Sequence, residues 1–191
     1  MVKGSVNLVI VGSSAGGPRI LRELFDGLPR INASVVAIQH MPKFVNHSLC
    51  ENLSRYTECD VILAVDNTEL KPGNIYVAPS EKHLVLEQNR LISLVQGEKV
   101  NFACPSIDVT MQSVLQDPSR TIWGIILTGM GRDGAEGISH IKQIGGTTIA
   151  QDEETSIIFG MPREAIKTGQ VDHILSPAGI RTYMIKKIGI L

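Results

Sequence analysis

The chain holds a serine, a histidine and an aspartate, each set directly behind an apolar run. Ser14 lies in Leu8-Val9-Ile10-Val11-Gly12-Ser13-Ser14-Ala15-Gly16-Gly17, where a β-type stretch ends in a glycine turn and a helical pattern begins near Pro18. The turn fits Gly-x-Ser-x-Gly, whose small neighbours let the chain bend sharply and leave the serine oxygen exposed above a sheet. His40 follows the run 34–39, and Asp133 falls in a second glycine-rich turn, Leu127-Thr128-Gly129-Met130-Gly131-Arg132-Asp133-Gly134. A nucleophile, a base that titrates near neutrality and an acid that orients the base are the parts of a hydrolytic triad. Their order here is Ser, His, Asp. α/β-Hydrolases run Ser, Asp, His, so the standard hydrolase fold is not implied even where the chemistry fits.

Other readings of these residues stay open at this level. A strand, a glycine turn and a helix also describe a phosphate-binding loop, in which the helix N-terminus attracts an anion. The dinucleotide fingerprint fits poorly, because Ser14 stands where its second glycine belongs and the next strand ends at Gln39-His40 without a ribose-binding acid. The Walker pattern fails for want of a Lys-Ser or Lys-Thr after the glycines. Ser14 could also act only as the cap of the following helix. Asp152, likewise placed after an apolar strand, rivals Asp133, and Asp108 reads as a first-turn helix residue that favours the dipole. Packing or surface roles suit His47, His83 and His140 better than catalysis, since they sit in helical patterns or begin a hairpin strand.

The elements that must position these residues alternate along the chain. Strands are expected at 6–11, 34–39, 60–65, 121–127 and 147–150, with a shorter one at 173–175. Helices are expected at 18–28, 45–56, 106–116, 135–144, 162–167 and 177–187. Such alternation predicts an α/β fold, a doubly wound, mostly parallel sheet. Three short runs at 74–78, 83–87 and 91–94, joined by turn residues, break the rhythm and predict an antiparallel β-hairpin insertion. Ligands of open α/β sheets bind beyond the carboxyl ends of the strands, where Ser14, His40 and Asp133 would all arrive.

Composition agrees with this picture. The 191 residues suffice for one domain with a full core, and 43% of them are apolar against only 4% aromatic. A core of Ile, Val, Leu and Ala favours a buried parallel sheet under helices. The net charge of −1, without a basic stretch, argues against nucleic acid as a partner. No apolar run reaches spanning length and the first residues lack a secretory pattern, so neither membrane insertion nor export is expected. Cys50, Cys59 and Cys104 are odd in number and widely spaced. They predict reduced thiols in a cytoplasmic protein, not a disulfide frame or a zinc site.

Six segments in order resemble the catalytic domain of the CheB family, the chemotaxis protein-glutamate methylesterases. They are Gly12-Ser13-Ser14-Ala15-Gly16-Gly17, Gln39-His40-Met41-Pro42, Pro72-Gly73-Asn74-Ile75-Tyr76-Val77-Ala78-Pro79, Pro105-Ser106-Ile107-Asp108-Val109, Leu127 to Gly134, and Phe159-Gly160-Met161-Pro162-Arg163-Glu164-Ala165. The resemblance carries the catalytic serine to Ser14, the histidine to His40 and the aspartate to Asp133, and so favours Asp133 over Asp152 by analogy alone. It assigns Met130 as an oxyanion donor through its backbone N–H, beside Ala15, which follows the nucleophile. The implied activity is hydrolysis of γ-glutamyl methyl esters on chemoreceptors with release of methanol, together with deamidation of receptor glutamines. No metal or organic cofactor is implied. The implied partners are methylated chemoreceptor cytoplasmic domains and a separate phospho-receiver regulator.

Two departures from the family pattern bear on this expectation. Family members usually carry an amino-terminal receiver domain, whereas this chain starts almost at the first catalytic strand. A single CheB-type catalytic domain over 1–191, free-standing or excised, is therefore expected. Many relatives also place arginine and histidine where Phe102, Ala103 and Cys104 stand. Lost basic residues near a cleft would redirect substrate choice, which keeps alive an esterase or amidase with the same triad and a non-chemoreceptor substrate. A non-enzymatic phosphate-binding module at 12–17 is the third reading. Arg132 and Arg163 flank proposed site segments and are expected to face solvent.

Overall fold

The computed structural model describes residues 7–191. The expected strand start at Val6 lies outside the described residues. Seven strands form one parallel sheet: β1 (Asn7–Ser13), β2 (Ala33–Gln39), β3 (Asp60–Leu63), β5 (Asn74–Val77), β8 (Ile122–Ile126), β9 (Thr147–Gln151) and β10 (His173–Leu175). Their order across the sheet is β10-β9-β8-β1-β2-β5-β3. The chain winds outward from β1 through β2 in one direction, then returns to lay β8 against the other side of β1. The order thus reverses at β1, and a crevice opens there at the carboxyl ends of the strands.

Burial on both faces accounts for the run-like apolar strands. Val9 and Val11 of β1 face helices α1 (Gly17–Phe25), α2 (Asn46–Leu53) and α6 (Pro177–Ile188). Leu8 and Ile10 face α3 (Ile107–Gln112), α4 (Ala135–Gln143) and α5 (Gly160–Lys167). Period-2 alternation therefore survives, but both of its phases are apolar. Helix α1 shows the matching helical period, with Ile20, Leu21, Leu24 and Phe25 buried along one stripe. It stops because Gly27 turns left-handed at φ 71° and Pro29 follows. Among the described residues no helix is long and apolar enough to cross a membrane.

The expected antiparallel insertion is present but differs in membership. Strands β6 (His83–Glu87) and β7 (Leu91–Val95) pair antiparallel, and a two-residue strand β4 (Thr68–Glu69) joins β7. The run at 74–78, read above as a hairpin arm, is instead β5 of the main sheet, parallel to both β2 and β3. Its Ile75, Tyr76 and Val77 are all buried, which marks an interior parallel strand. Four residues between turns are too few for periodicity to separate the two cases. Helix α3 is also shorter than the expected 106–116. It ends at Gln112, where the Ser113 hydroxyl bonds the Thr110 carbonyl and accepts the Leu86 N–H of the small sheet. Helix α2 is preceded by a 3₁₀ turn at Lys43–Val45.

One contact ties this second layer to the site-bearing strand. A Cβ built on Gly12 of β1 would lie 2.6 Å from two methyl carbons of Ile107, the first residue of α3. Only glycine at this position lets the start of α3 press against β1. Gly12→Val is expected to destabilise the fold by about 1–3 kcal/mol through overpacking, a loss that urea denaturation would read.

Candidate active site

Ser14 stands just past β1, between the strand and the left-handed Gly16 that opens α1. Its N–H donates to the Thr128 carbonyl at 3.0 Å and its carbonyl accepts the Gly17 N–H at 2.8 Å. No side chain caps α1, so Ser14 does not take the capping role its position allowed. His40 follows β2, which runs in register with β1, and its N–H donates to the Ser13 carbonyl at 3.0 Å. Gln39, buried at the end of β2, joins the two. It accepts the Ser13 hydroxyl at 2.7 Å and donates its amide to the carbonyls of Ser14 (2.9 Å) and His40 (2.8 Å). Gly17 makes room for it, since a Cβ there would fall 1.8 Å from Gln39 Oε1. Sequence reading passes over Gln39, although a polar residue closing a strand buried throughout is the available signal.

Asp133 reaches the site from the turn between β8 and α4. Its Oδ2 accepts His40 Nε2–H at 2.9 Å and the Ile107 N–H at 2.8 Å. Its Oδ1 accepts the Ser106 hydroxyl at 2.7 Å and the Asp108 N–H at 3.1 Å. Asp108 answers from the opposite side: its Oδ1 accepts the N–H groups of Gly134 (2.9 Å) and Gly137 (2.7 Å) at the start of α4. Its Oδ2 accepts Asn101 Nδ2–H at 2.8 Å. Each carboxylate thus satisfies the helix that the other precedes or begins. The first-turn reading of Asp108 missed this reach, because it depends on a second helix start lying alongside.

The two buried acids are driven apart in proton affinity. Burial raises the pKa of Asp108, and its backbone donors do not cancel that effect beside the Asp133 charge, leaving it at about 6. Burial also works to raise the pKa of Asp133, but the bonds from His40, Ile107, Ser106 and Asp108 prevail and hold it below the ordinary carboxylate value. Asp133 is therefore ionised and acceptor-only, which places the neutral imidazole's proton on Nε2 and leaves Nδ1 as the basic atom.

Ser14 and His40 open on one cleft of about 530 Å³, lined also by Met41, Lys99, residues 101–104, Met130 and Gly131. Among the described residues no hydrogen bond joins Ser14 Oγ to the ring, a gap that nucleophile–base pairs often show without substrate. Nor does any hydrogen bond among the described residues take up the N–H of Ala15 or Met130. Thr128 Oγ1 ties the two segments, donating to the Ala15 carbonyl at 3.0 Å. Gly129 permits their approach, since a Cβ there would lie 2.8 Å from Ser14 Cβ and 2.2 Å from Met161 Sδ.

Rival residues are placed elsewhere. Asp152 builds a turn, accepting the Thr155 N–H at 3.0 Å. Buried His83 accepts the Ser106 N–H and donates to the Glu98 carbonyl, His140 bonds the Val114 carbonyl, His173 bonds Tyr183, and His47 is exposed. Arg132 and Arg163 face solvent beside Glu136 and Glu164. All three cysteines are free. Cys104 lines the cleft, and burial raises its thiol pKa against the pull of Lys99. Among the described residues no group of His, Cys, Asp or Glu is arranged to hold a metal ion.

The raised pKa of Asp108 has a stability consequence of definite sign. Its folded pKa exceeds its unfolded value, so the folded state loses stability as pH rises from about 4 toward about 6. Asp133 acts oppositely: its contribution is present above the unfolded pKa and is lost as pH falls through the lowered folded one. Asp108→Asn is expected to gain on the wild type in melting temperature between pH 4 and pH 7.5, the rise falling below about pH 6. A pH series of thermal melts reads this directly.

Comparison with known proteins places the chain. The family described as CheB methylesterase matches residues 9–184. A protein-glutamate methylesterase/protein-glutamine glutaminase of Salmonella typhimurium is 38% identical over 187 residues, 96% of this chain and 54% of that protein. Its Xanthomonas oryzae pv. oryzae namesake, numbered 1, is 38% identical over 179 residues, 92% and 51% of the two chains. The chain thus spans about half the length of these relatives. The crystal structure of the Thermotoga maritima CheB methylesterase catalytic domain superposes with a TM-score of 0.89 at 36% identity, over 95% of this chain and 98% of that one. A match this long, shared by sequence and fold, means that the chain belongs to the CheB methylesterase family.

Proposed function

We propose that the chain acts as one catalytic domain, a serine hydrolase that removes methyl groups from γ-glutamyl methyl esters of chemoreceptors and releases methanol. The observation that carries the proposal is the His40–Asp133 pair, whose basic Nδ1 has no hydrogen-bond partner among the described residues and lies on the cleft that holds Ser14. Methylated receptor cytoplasmic domains would be the partners, with the cytoplasm as the site of action and a separate phospho-receiver protein as regulator. The relatives named above carry both methylesterase and glutaminase in their names. Deamidation of receptor glutamines, with ammonia as leaving group, is accordingly part of the proposal.

The geometry supports the following mechanism. His40 Nδ1 takes the proton from Ser14 Oγ as that oxygen attacks the ester carbonyl. Asp133 holds the ring in the required tautomer and stabilises the imidazolium. The N–H groups of Ala15 and Met130 receive the oxyanion, each worth on the order of 10²–10³ in rate. The imidazolium returns its proton to the departing methoxide, which leaves as methanol. Water, deprotonated by Nδ1, then attacks the acyl-enzyme, and Ser14 regains its proton as the glutamate carboxylate departs.

Methanol release from methylated chemoreceptor membranes tests the proposal. The wild-type chain is expected to release methanol and Ser14→Ala to release none. Asp133→Asn, which presents a donor to Nε2 and enforces the wrong tautomer, is expected to lower kcat by about 10⁴. Release that persists in Ser14→Ala would overturn the proposal. The altered rim at Phe102-Ala103-Cys104 favours a second reading, an esterase or amidase with another substrate. That reading predicts labelling of Ser14 by a fluorophosphonate without methanol release from receptors.

A further inference from the structure

The turn at the rim of the cleft is built against its own residue preferences. Val100 and Ala103 exchange both backbone hydrogen bonds, at 3.0 and 2.9 Å, and close a two-residue hairpin. Its central residues, Asn101 and Phe102, both take left-handed φ, 50° and 66°. Asparagine suits the first of these positions and glycine the second. A bulky side chain at the second is strained, and no packing offsets the strain, because Phe102 is 97% exposed. The turn is nevertheless tethered. Asn101 donates to buried Asp108, the carboxylate that accepts the N–H groups of Gly134 and Gly137. The Cys104 carbonyl also accepts the Glu81 N–H at 3.1 Å. The tethered backbone thus presents an aromatic side chain at the rim of the cleft that contains Ser14 and His40.

The cleft's composition says what such a ring would meet. Met130, 76% exposed, adds a second apolar side chain, and Lys99 is the one lysine or arginine among the lining residues. Arg132 and Arg163 are engaged with Glu136 and Glu164 and do not line it. We infer that Phe102 is a specificity-determining residue, whose ring receives a bulky apolar side chain of the protein substrate next to the ester-bearing glutamate. The inference rests on the ester-hydrolase reading above and narrows its substrate to glutamyl esters flanked by apolar residues. A role in binding substrate gives a reason for Phe at a position where Gly would be less strained.

Two peptides carrying one γ-methyl glutamate test it, one flanked on both sides by leucine and the other by aspartate. Methanol release gives kcat/KM for the wild type, Phe102→Gly and Phe102→Leu. The wild type is expected to favour the leucine peptide by about tenfold and Phe102→Gly by less than about twofold, while Phe102→Leu keeps most of the preference. Phe102→Gly is also expected to melt at a higher temperature, which a packing role for the ring would reverse. Equal turnover of both peptides by the wild type, or undiminished preference in Phe102→Gly, overturns the inference and leaves the hydrolase reading standing. Failure of the wild type to hydrolyse either peptide overturns both.

Discussion

Two buried carboxylates facing each other across the starts of α3 and α4 hold the site in place. A helix start leaves backbone donors without partners, and here each start is served by an acid that belongs to the other. Asp108 accepts from Gly134 and Gly137, while Asp133 accepts from Ile107 and Asp108. Neither helix can shift without orphaning buried N–H groups of its neighbour, a loss of about 1–3 kcal/mol for each group. The arrangement also decides which acid carries charge. Asp133, with the richer set of donors and the histidine, stays ionised, whereas Asp108 is pushed toward the neutral form. His40 is thereby held in one orientation by an acid that is itself fixed.

Close backbone approach is the second constraint. Gly12 admits Ile107, Gly17 admits Gln39 and Gly129 admits Ser14 together with Met161. These contacts draw the ends of β1, β2 and β8 to within reach of a few short side chains. Gln39 and Thr128 then bond across the gaps, so the Ser14 turn, His40 and the segment around Met130 are joined by hydrogen bonds. That close-packed floor contrasts with the rim at 100–103, where an asparagine tether holds a turn that its phenylalanine strains. A bulky residue in the left-handed region costs about 1–3 kcal/mol. Strain of this kind collects where binding or catalysis needs a particular geometry.

Much of the fold was legible in residue order. The alternation of apolar runs with amphipathic stretches predicted the doubly wound sheet, and most of its strands and helices lie where that pattern sets them. The misreading of β5 as a hairpin arm has a simple cause: four residues between turns present the same pattern in either setting. The shortened α3 has another, since the hydroxyl of Ser113 serves a strand of the small sheet that no local pattern announces.

The sequence by itself determined the residue types and their arrival at one edge of the sheet. Ser14, His40 and Asp133 each come after an apolar strand, and parallel strands deliver their trailing residues to the same end. Only the tertiary structure decided that the His40–Asp133 bond uses Nε2, that Asp152 serves a turn instead, and that Gln39 and Asp108 hold the site. The reason is physical. Strand and helix periods are local and repeat every few residues, whereas a hydrogen bond between residues 93 apart, such as His40 to Asp133, depends on how separate elements pack. Proton affinities are set by that packing, because burial and donor count are properties of the assembled site.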